Sequence, residues 1–226
     1  MATRPELSTL LKTVWAEIEA GDAELLDRYD RAWKDGIVRA GTRLNCRLGC
    51  IPCCMGPFEI TPLDALRLAV GMTGLAVSHQ RACARIRRRA VRLGWKMAAV
   101  AAERLAPGEL PSEYGVREEV LEAFSGQPCP ALSRRSGRCL IYQWRPLSCR
   151  SYGLPLVCGD ELLPPCSLNL EGVTQVRWRR FAIEPDPEDL EGELLARIQL
   201  LAPGMPDTTV AGALMAASGA PEGVQR

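Results

Sequence analysis

Cysteine is the residue type in this chain best suited to chemistry, and most of its cysteines fall into two arrays. Four of them lie within nine residues, in the order Cys46, Cys50, Cys53 and Cys54. The second array follows downstream and consists of Cys129, Cys139, Cys149, Cys158 and Cys166. Thiolates bind zinc, copper(I) and iron–sulfur clusters in preference to hard cations. The two arrays therefore predict a metal site built from cysteine.

A disulfide framework is the alternative use of these cysteines, and the expected compartment argues against it. The N-terminal residues have no apolar core followed by a small-residue cleavage site. No segment approaches the roughly 20 apolar residues that a membrane-spanning helix requires. We therefore expect a cytoplasmic protein with no membrane partner, where closely spaced cysteines favour metal ligation. Adjacent Cys53 and Cys54 would also be awkward partners for two ordinary disulfides.

The spacing of the cysteines leaves the identity of the metal open between zinc and iron. Because the chain has a single histidine, an all-cysteine ligand set is expected. Structural zinc sites prefer two CxxC-like turns, whereas the CxxxCxxC spacing of Cys46, Cys50 and Cys53 is typical of a grip on a [4Fe-4S] cluster. The additional cysteines and the missing enzyme scaffold keep zinc equally open.

Radical S-adenosylmethionine enzymes share the CxxxCxxC spacing, but their fold does not fit this chain. That class needs a barrel of alternating strands and helices. The segments after Cys54 are helical by their periodicity and contain almost no apolar β-branched runs. The sequence therefore argues against that class.

The order of the motifs resembles the bacterial YkgJ-like cysteine-cluster family over about residues 46–166. The matching motifs are CxxxCxxCC at 46–54, Cys129-Pro-Ala-Leu132, Gly137-Arg-Cys139-Leu-Ile-Tyr142, Arg145-Pro146 and Cys149-Arg150-Ser-Tyr152. The resemblance implies a zinc- or iron-chelating domain without fixing a reaction. The cysteines that match are Cys46, Cys50, Cys53, Cys54, Cys129, Cys139 and Cys149, with Cys166 as the best candidate for an eighth. Cys158 fits less clearly.

Four other residues of these motifs are predicted to surround the metal: Tyr142, Tyr152, Arg145 and Arg150. The tyrosines would pack over the centre and exclude water, which tunes metal affinity or potential. Arg150 would balance the negative charge of the thiolates, as would Arg47 and Arg145. The Arg145-Pro146 pair would form a turn that aims Cys149. No Ser/His/Asp set or pair of carboxylates stands out, so no catalytic residue is assigned.

The elements that must position these residues are mainly helical. Apolar residues at spacings of three and four predict helices over about 7–18, 25–37, 63–70, 78–100, 116–124 and 187–201. Gly21-Asp22 resembles a helix stop followed by a new N-cap. Thr61-Pro62 and Asp186-Pro187 are strong helix starts. Cys83 falls on an apolar helix face and is assigned to the core, whereas His79 is assigned a structural role.

The fold class expected from these patterns is a mainly α protein with an irregular, cysteine-rich metal-binding subdomain. From Ser125 to Cys166 the chain is rich in glycine, proline and arginine, which predicts loops with a short hairpin. One domain is expected over residues 1–202, with its cysteine-cluster region at 46–166. Residues 203–226 are rich in Gly, Ala and Pro and are expected to be a disordered tail.

The helix at 78–100 carries a basic face formed by Arg81, Arg85, Arg88, Arg92 and Lys96. Clustered arginines suit phosphate groups, but the formal net charge of the whole chain is only +1. A solvated helix face is the better explanation. A nucleic-acid partner is therefore not expected.

The leading functional hypothesis is a metal-binding protein that chelates zinc or iron, as an ion or as an iron–sulfur cluster. An iron–sulfur redox enzyme or electron-transfer protein is the first alternative. An adaptor that binds nucleic acid through the basic helix is the second. The sequence does not define the substrate, the number of metals, the oligomeric state or a protein partner.

Overall fold

The computed structural model describes residues 7–101 and 105–217, with side chains from residue 12 onward. The helices of this part are α1 (Leu7–Ala40), α2 (Pro62–Ser78), α3 (Gln80–Val100), α4 (Tyr114–Ala123), α5 (Leu147–Ser151), α6 (Gln175–Trp178), α7 (Leu190–Leu201) and α8 (Val210–Ala216). The strands are β1 (Glu59–Ile60), β2 (Leu132–Ser133), β3 (Arg138–Cys139), β4 (Leu156–Cys158), β5 (Glu161–Leu163) and β6 (Thr208–Thr209). The predicted mainly α class is confirmed.

Helix α2 lies at the centre of the fold and has packing partners on two sides. On one side, apolar residues of α1 and α7 form a core with it that includes Ile18, Leu63 and Ile198. On the other side, α3 and α8 form a second core around Met72 and Ile86. None of the described helices combines the length and the apolar composition needed to cross a membrane.

Helix α1 runs without interruption where a stop at Gly21-Asp22 was predicted. The glycine serves close packing, since a Cβ at residue 21 would lie 2.7 Å from a methyl carbon of Leu194. The carboxylate of Asp22 does not cap a helix. It accepts hydrogen bonds from Nε of Arg67 at 3.0 and 3.1 Å, and both side chains are buried. The partners that explain both residues are therefore distant in the sequence.

The predicted start of α2 is confirmed, but the helix continues beyond its predicted end at Gly71. The Thr61 hydroxyl accepts a hydrogen bond from the backbone N–H of Asp64 at 3.4 Å, as an N-cap does. Gly71 lies within the helix because the indole of Trp144 packs against it. A Cβ at residue 71 would lie only 2.3 Å from Cγ of that ring.

Helices α3 and α4 confirm the predicted helices at 78–100 and 116–124. Cys83 is 2% exposed and lies in the core shared by α2, α3 and α8, so its predicted core position is confirmed. The five basic residues predicted for one face of α3 are all exposed.

Helix α7 begins three residues later than the Asp186-Pro187 signal predicts. Asp189 has φ 58°, a left-handed conformation that keeps the preceding residues out of the helix. The Asp186 carboxylate still caps the helix, because it accepts hydrogen bonds from the backbone N–H groups of Leu190 and Glu191 at 3.0 and 2.8 Å. The capping residue was identified correctly, and only the path of the chain differs.

The segment after Pro203 differs most from expectation. Residues 208–209 form β6, which pairs with β1, and α8 follows with Thr209 as its N-cap. Val210, Ala213 and Leu214 are buried against α2 and α3. Small residues suit this position because α8 approaches its neighbours closely. The expected disorder therefore does not describe residues 203–217, and residues 218–226 lie outside the described part. The division of the chain at residue 202 stays a prediction.

Candidate metal centre

The two cysteine arrays are joined directly by backbone pairing. The N–H of Cys129 donates to the carbonyl of Cys54 at 2.7 Å, and the N–H of Gly56 donates to the carbonyl of Gln127 at 2.7 Å. Met55 and Pro128 form an antiparallel bridge between these bonds. The end of the first array is thus held against the beginning of the second, although more than 70 residues of helical scaffold separate them in the sequence.

A second contact joins the arrays at two glycines. Gly49 and Gly137 both have positive φ, at 91° and 65°. A Cβ on residue 137 would lie 2.7 Å from Cα of Gly49. Because only glycine tolerates both the conformation and the close approach, the turn between β2 and β3 fits against the turn between Cys46 and Cys50.

Four thiols, hereafter the inner group, are positioned by three segments of chain. Cys53 lies on the short turn Pro52–Cys54, Cys129 and Cys139 flank the hairpin of β2 and β3, and Cys149 lies on α5. Helix α5 is fixed to the scaffold because its first residue, Leu147, donates its N–H to a carboxylate oxygen of Asp64 at 3.1 Å. The scaffold and the paired loops therefore determine where the inner group lies.

Burial keeps the inner group protonated in the absence of a cation. Burial raises the pKa of Cys129 to about 12, and the neighbouring thiol of Cys139 contributes to that rise. Burial also raises the pKa of Cys149 well above 9, with further contributions from Cys129 and Cys139. A hydrogen bond with Cys54, followed by burial, raises the pKa of Cys53. A bound metal cation would favour the thiolate form of all four side chains and would release their protons.

Three further cysteines, hereafter the outer group, lie beside the inner group: Cys46, Cys50 and Cys166. Burial raises the pKa of Cys46, the side-chain amide of Asn169 lowers it, and the thiols of Cys50 and Cys166 raise it further. The amide nitrogen of Asn169 lies 3.3 Å from Sγ of Cys46. Burial raises the pKa of Tyr152, whose hydroxyl also forms a hydrogen bond with Cys166. Tyr152 therefore contacts one of the predicted ligands, Cys166.

An open cavity of about 530 Å³ lies beside the outer group. Cys50 lines it together with Arg47, Asn45 and Glu171. Solvent molecules and small ligands can therefore reach Cys50 of the outer group.

The structure gives the two predicted arginines different surroundings. Arg145 is close to the inner group: burial raises the pKa of Cys139, and the positive charge of Arg145 opposes that rise. Its guanidinium also lies 3.8 Å from the ring centroid of Tyr142, which is 61% exposed and covers the arginine from outside. Arg150 points elsewhere. It is buried and forms an ion pair with Asp30 at 2.9 Å. Arg150 therefore fixes α5 against α1, and its partner is a carboxylate where a thiolate was predicted.

Two of the remaining candidates lie apart from both groups. Cys158 is exposed at the turn end of the hairpin of β4 and β5, where it pairs with Glu161. His79 is exposed at the junction of α2 and α3, and its Nδ1 lies 3.0 Å from the hydroxyl of Ser78. The sequence left the role of Cys158 open and assigned His79 a structural role, and both assignments stay predictions.

Asn169 is a residue of the site that the sequence did not reveal. Besides its contact with Cys46, its side chain donates to the carbonyl of Gly153 at 2.7 Å and accepts from the N–H of Asn45 at 2.8 Å. It thereby ties the first array to the segment around Cys166. The only sequence signal is its position three residues after that cysteine, which is too weak to single it out.

The donor set fits a thiophilic metal, although the side chains do not form a closed ligand shell. Within the described ranges, no three Cys, His, Asp or Glu side chains are arranged to hold one metal ion. The chemistry of the donors is nevertheless specific, because half-buried thiols beside the cationic Arg145 are suited to a cation that binds sulfur. Cys53, Cys129, Cys139 and Cys149 are the residues that would hold it.

Comparison with known proteins identifies the family of this chain. No curated protein and no solved structure gave a significant match to the chain. A protein family does match, over residues 45–158, which is half of the chain and includes the inner group together with Cys46, Cys50, Cys54 and Cys158, while Cys166 lies beyond it. The chain therefore belongs to the CxxCxxCC family, described as a putative zinc- or iron-chelating domain, and the resemblance to the YkgJ-like proteins is confirmed.

Proposed function

We propose that this protein binds zinc or iron through the four thiols of the inner group. The observation that carries the proposal is the convergence of these half-buried thiols: three chain segments bring them together, and the thiols of Cys129, Cys139 and Cys53 all raise the pKa of Cys149. A metal cation would compensate the charge of four thiolates, and its binding would add to the stability of the loops.

The remaining predicted ligands complete a larger site in this proposal. Cys54 is hydrogen-bonded to Cys53 through their thiols, and the outer group lies alongside. The full predicted set is Cys46, Cys50, Cys53, Cys54, Cys129, Cys139, Cys149 and Cys166. Eight thiolates suffice for two four-cysteine centres, so we propose that the inner and outer groups mark two binding positions. The outer position is the one that the open cavity reaches.

An iron–sulfur cluster is the second candidate for the bound group. The first array supports it, because Cys46, Cys50 and Cys53 have the spacing of a three-cysteine grip on a cubane cluster, and the thiols of Cys50 and Cys53 both contribute to the raised pKa of Cys46. A bound cluster would supply electron-transfer chemistry, whereas zinc would supply structure only. Only an iron–sulfur cluster would make this a redox protein, whereas either zinc or a cluster would make it a metal-binding protein.

Elemental analysis of protein purified without oxygen tests the proposal and chooses between the metals. We expect at least one zinc or iron per chain. Acid-labile sulfide together with brown colour that bleaches with dithionite would identify the cluster, whereas a colourless protein with zinc would identify the structural ion. Folded protein with reduced thiols and neither metal would overturn the proposal.

Substitution of single cysteines tests which residues bind. Cys149→Ser removes an inner thiol and should lower the metal content, whereas Cys83→Ser changes a buried thiol in the apolar core and should leave it unchanged. Cys158→Ser is a second control, because this exposed cysteine lies on a separate hairpin. Equal metal content in all three variants would contradict the assignment of the inner group.

The proposed compartment is reducing and cytoplasmic. All ten cysteines are free thiols in the structure, and ligand cysteines must remain reduced to bind metal. Thiol titration of protein taken rapidly from cells under acid quench tests this point. Extensive oxidation in the cell would contradict it.

A further inference from the structure

Acidic residues are absent from two long stretches of the sequence, a feature that the balanced net charge conceals. Residues 65–102 contain no Asp or Glu, and neither do residues 123–159. The first stretch includes α3, which carries six arginines and one lysine. The second includes the hairpin of β2 and β3 with three more arginines. Positive charge is therefore concentrated in two neighbouring parts of the fold, while the carboxylates lie in other segments.

The basic residues of α3 form one exposed surface, the arginine face: Arg81, Arg85, Arg88, Arg92 and Lys96. In the part of the chain that the structure describes, none of the five forms an ion pair, although other arginines do so. Trp95 lies on the same side of the helix by its spacing from Arg88 and Arg92, and it is 49% exposed. An exposed indole thus lies among cations for which the described residues supply no carboxylate partner.

The hairpin extends the arginine face. The guanidinium of Arg89 donates to the carbonyl of Leu132 at 2.7 Å, which fixes the hairpin beside α3. Exposed Arg134, Arg135 and Arg138 lie on the hairpin turn or on β3. Between helix and hairpin lies a cleft of about 180 Å³ lined by Arg89, Arg92, Lys96 and Arg134, with Cys129 at its base. The cationic surface is therefore continuous and contains a concave part.

We infer that the arginine face, together with the hairpin arginines, binds single-stranded nucleic acid. The face extends about 22 Å from Arg81 to Lys96 at the helical rise, which exceeds the size of one phosphate group and suits a polyanion. Guanidinium groups bind phosphate oxygens in bidentate fashion. Trp95 offers a stacking surface to an unpaired base, and this contact distinguishes a single strand from a duplex, whose bases are already stacked. Net charge argues against nucleic acid only when the charges are evenly spread, and here two stretches without acidic residues lie beside each other.

Fluorescence anisotropy with a labelled 20-nucleotide oligouridine tests the inference on the full chain as purified with its metal. Binding should weaken as salt is raised, with a slope of log K against log salt of about −3 for four to five phosphate contacts. Binding that does not depend on salt would overturn the inference. Tighter binding of a duplex of the same length would overturn the assignment to single strands.

Two charge-reversal variants with matched net charge locate the binding surface. Arg85→Glu/Arg88→Glu/Arg92→Glu should weaken binding at least about 30-fold. The control, Arg177→Glu/Arg179→Glu/Arg180→Glu, changes the net charge equally on exposed residues in and just after α6 and should retain binding within about threefold. Circular dichroism confirms that both variants are folded. Equal losses in both would overturn the inference, because only overall charge would then matter.

Trp95→Ala separates nucleic acid from an acidic protein partner. Loss of a stacked base should weaken oligouridine binding about 5- to 100-fold with little change in the salt slope. Polyglutamate of similar length serves as the competing polyanion in the same assay. An unchanged affinity of the Trp95 variant, or equally tight binding of polyglutamate, would overturn the assignment to nucleic acid.

Discussion

The helical scaffold and the first cysteine loop are held in place by different forces. Helix α2 buries ten of its 17 residues, most of them apolar. In contrast, none of residues 41–59 is buried. The loop owes its position to backbone hydrogen bonds with residues around Cys129 and to the contact between Gly49 and Gly137. Apolar burial therefore stabilises the scaffold, whereas the loop depends on a few polar contacts and, in our proposal, on metal.

This difference indicates that the scaffold can fold before the metal site is complete. Scaffold residues are fixed by interactions worth several kcal/mol, and the loop is fixed by bonds that each contribute about 1 kcal/mol. Variants of the scaffold should change global stability, and removal of the metal should change local order. The following experiments separate the two effects, beginning with the largest expected change.

Arg67→Ala should have the largest effect on global stability. Arg67 is 1% exposed and forms ion pairs with Asp22 and Asp64, which are also buried. Its removal leaves two uncompensated carboxylates in the core, which costs about 3–5 kcal/mol. Urea unfolding measures the loss. The exposed pair of Arg31 and Asp27 gives the control, because Arg31→Ala should cost less than about 1 kcal/mol. Similar losses in both variants would contradict the role of the buried pairs.

Gly71→Ala should destabilise the contact between α2 and the segment that leads into α5. A Cβ at this position would lie 2.3 Å from the ring of Trp144, so the indole must move, at a cost of about 2–3 kcal/mol. The matched control is Gly74→Ala in the same helix, where the nearest atom of Trp144 is 4.0 Å away. The control should stabilise the protein by up to about 1 kcal/mol, since alanine favours a helix. Thermal unfolding that shifts in the same direction for both variants would refute this explanation.

Glu191→Gln should change the difference in stability between pH 5 and pH 8 by about 1–2 kcal/mol, allowing for partial solvent exposure. Burial, and next the charge of Asp64, raises the pKa of Glu191 from 4.5 to about 7. Between these values the folded chain retains a proton that the unfolded chain has lost, so stability falls as pH rises from about 4.5 to 7. Glutamine removes this contribution and keeps a side-chain oxygen near Thr61.

The measurement is the free energy of unfolding of both proteins at pH 5 and pH 8. The free energy of unfolding of the variant should rise relative to that of the original protein at pH 8. The two values should differ least at pH 5. Parallel pH dependences would show that Glu191 does not titrate in this window.

Metal removal should have the smallest effect on the helical scaffold and a large effect on the loops. This expectation depends on the proposed function. A chelator should increase hydrogen–deuterium exchange far more in residues 41–59 and in the hairpin of β2 and β3 than in α2 and α3. The metal-free chain should still unfold cooperatively, because the apolar clusters remain. Loss of protection throughout the helices would show that the scaffold also requires the metal.

The sequence predicted those features of the fold that are encoded by neighbouring residues. The Thr61 cap and the apolar periodicity of α3 are local signals, and both predictions are confirmed. Gly21 and Gly71 were misinterpreted as helix ends because Leu194 and Trp144, which explain them, lie far along the chain. Glycine inside a helix signals either an end or a close contact, and only the tertiary structure distinguishes the two.

In the candidate site, too, the sequence predicted features that depend on neighbouring residues and missed contacts between residues that are distant in the sequence. Cysteine spacing was sufficient to nominate the ligands that we propose, since thiol chemistry is a property of the residues themselves. The direction of Arg150 was not predictable, because its partner Asp30 lies on α1, 120 residues away. Asn169 has neither a cysteine's chemistry nor a helix pattern, so nothing in the sequence connects it with Cys46.

The pairing of β6 with β1 and the packing of α8 determine how short a recombinant fragment of this protein can be. Composition suggests trimming the chain at residue 202 to aid expression or crystallisation. Such a fragment would uncover the apolar groove around Leu68, Met72 and Ile86 and would leave the strand that follows the cysteine loop without its partner. Exposed apolar surface of this kind promotes aggregation. A soluble fragment should therefore extend at least to residue 217.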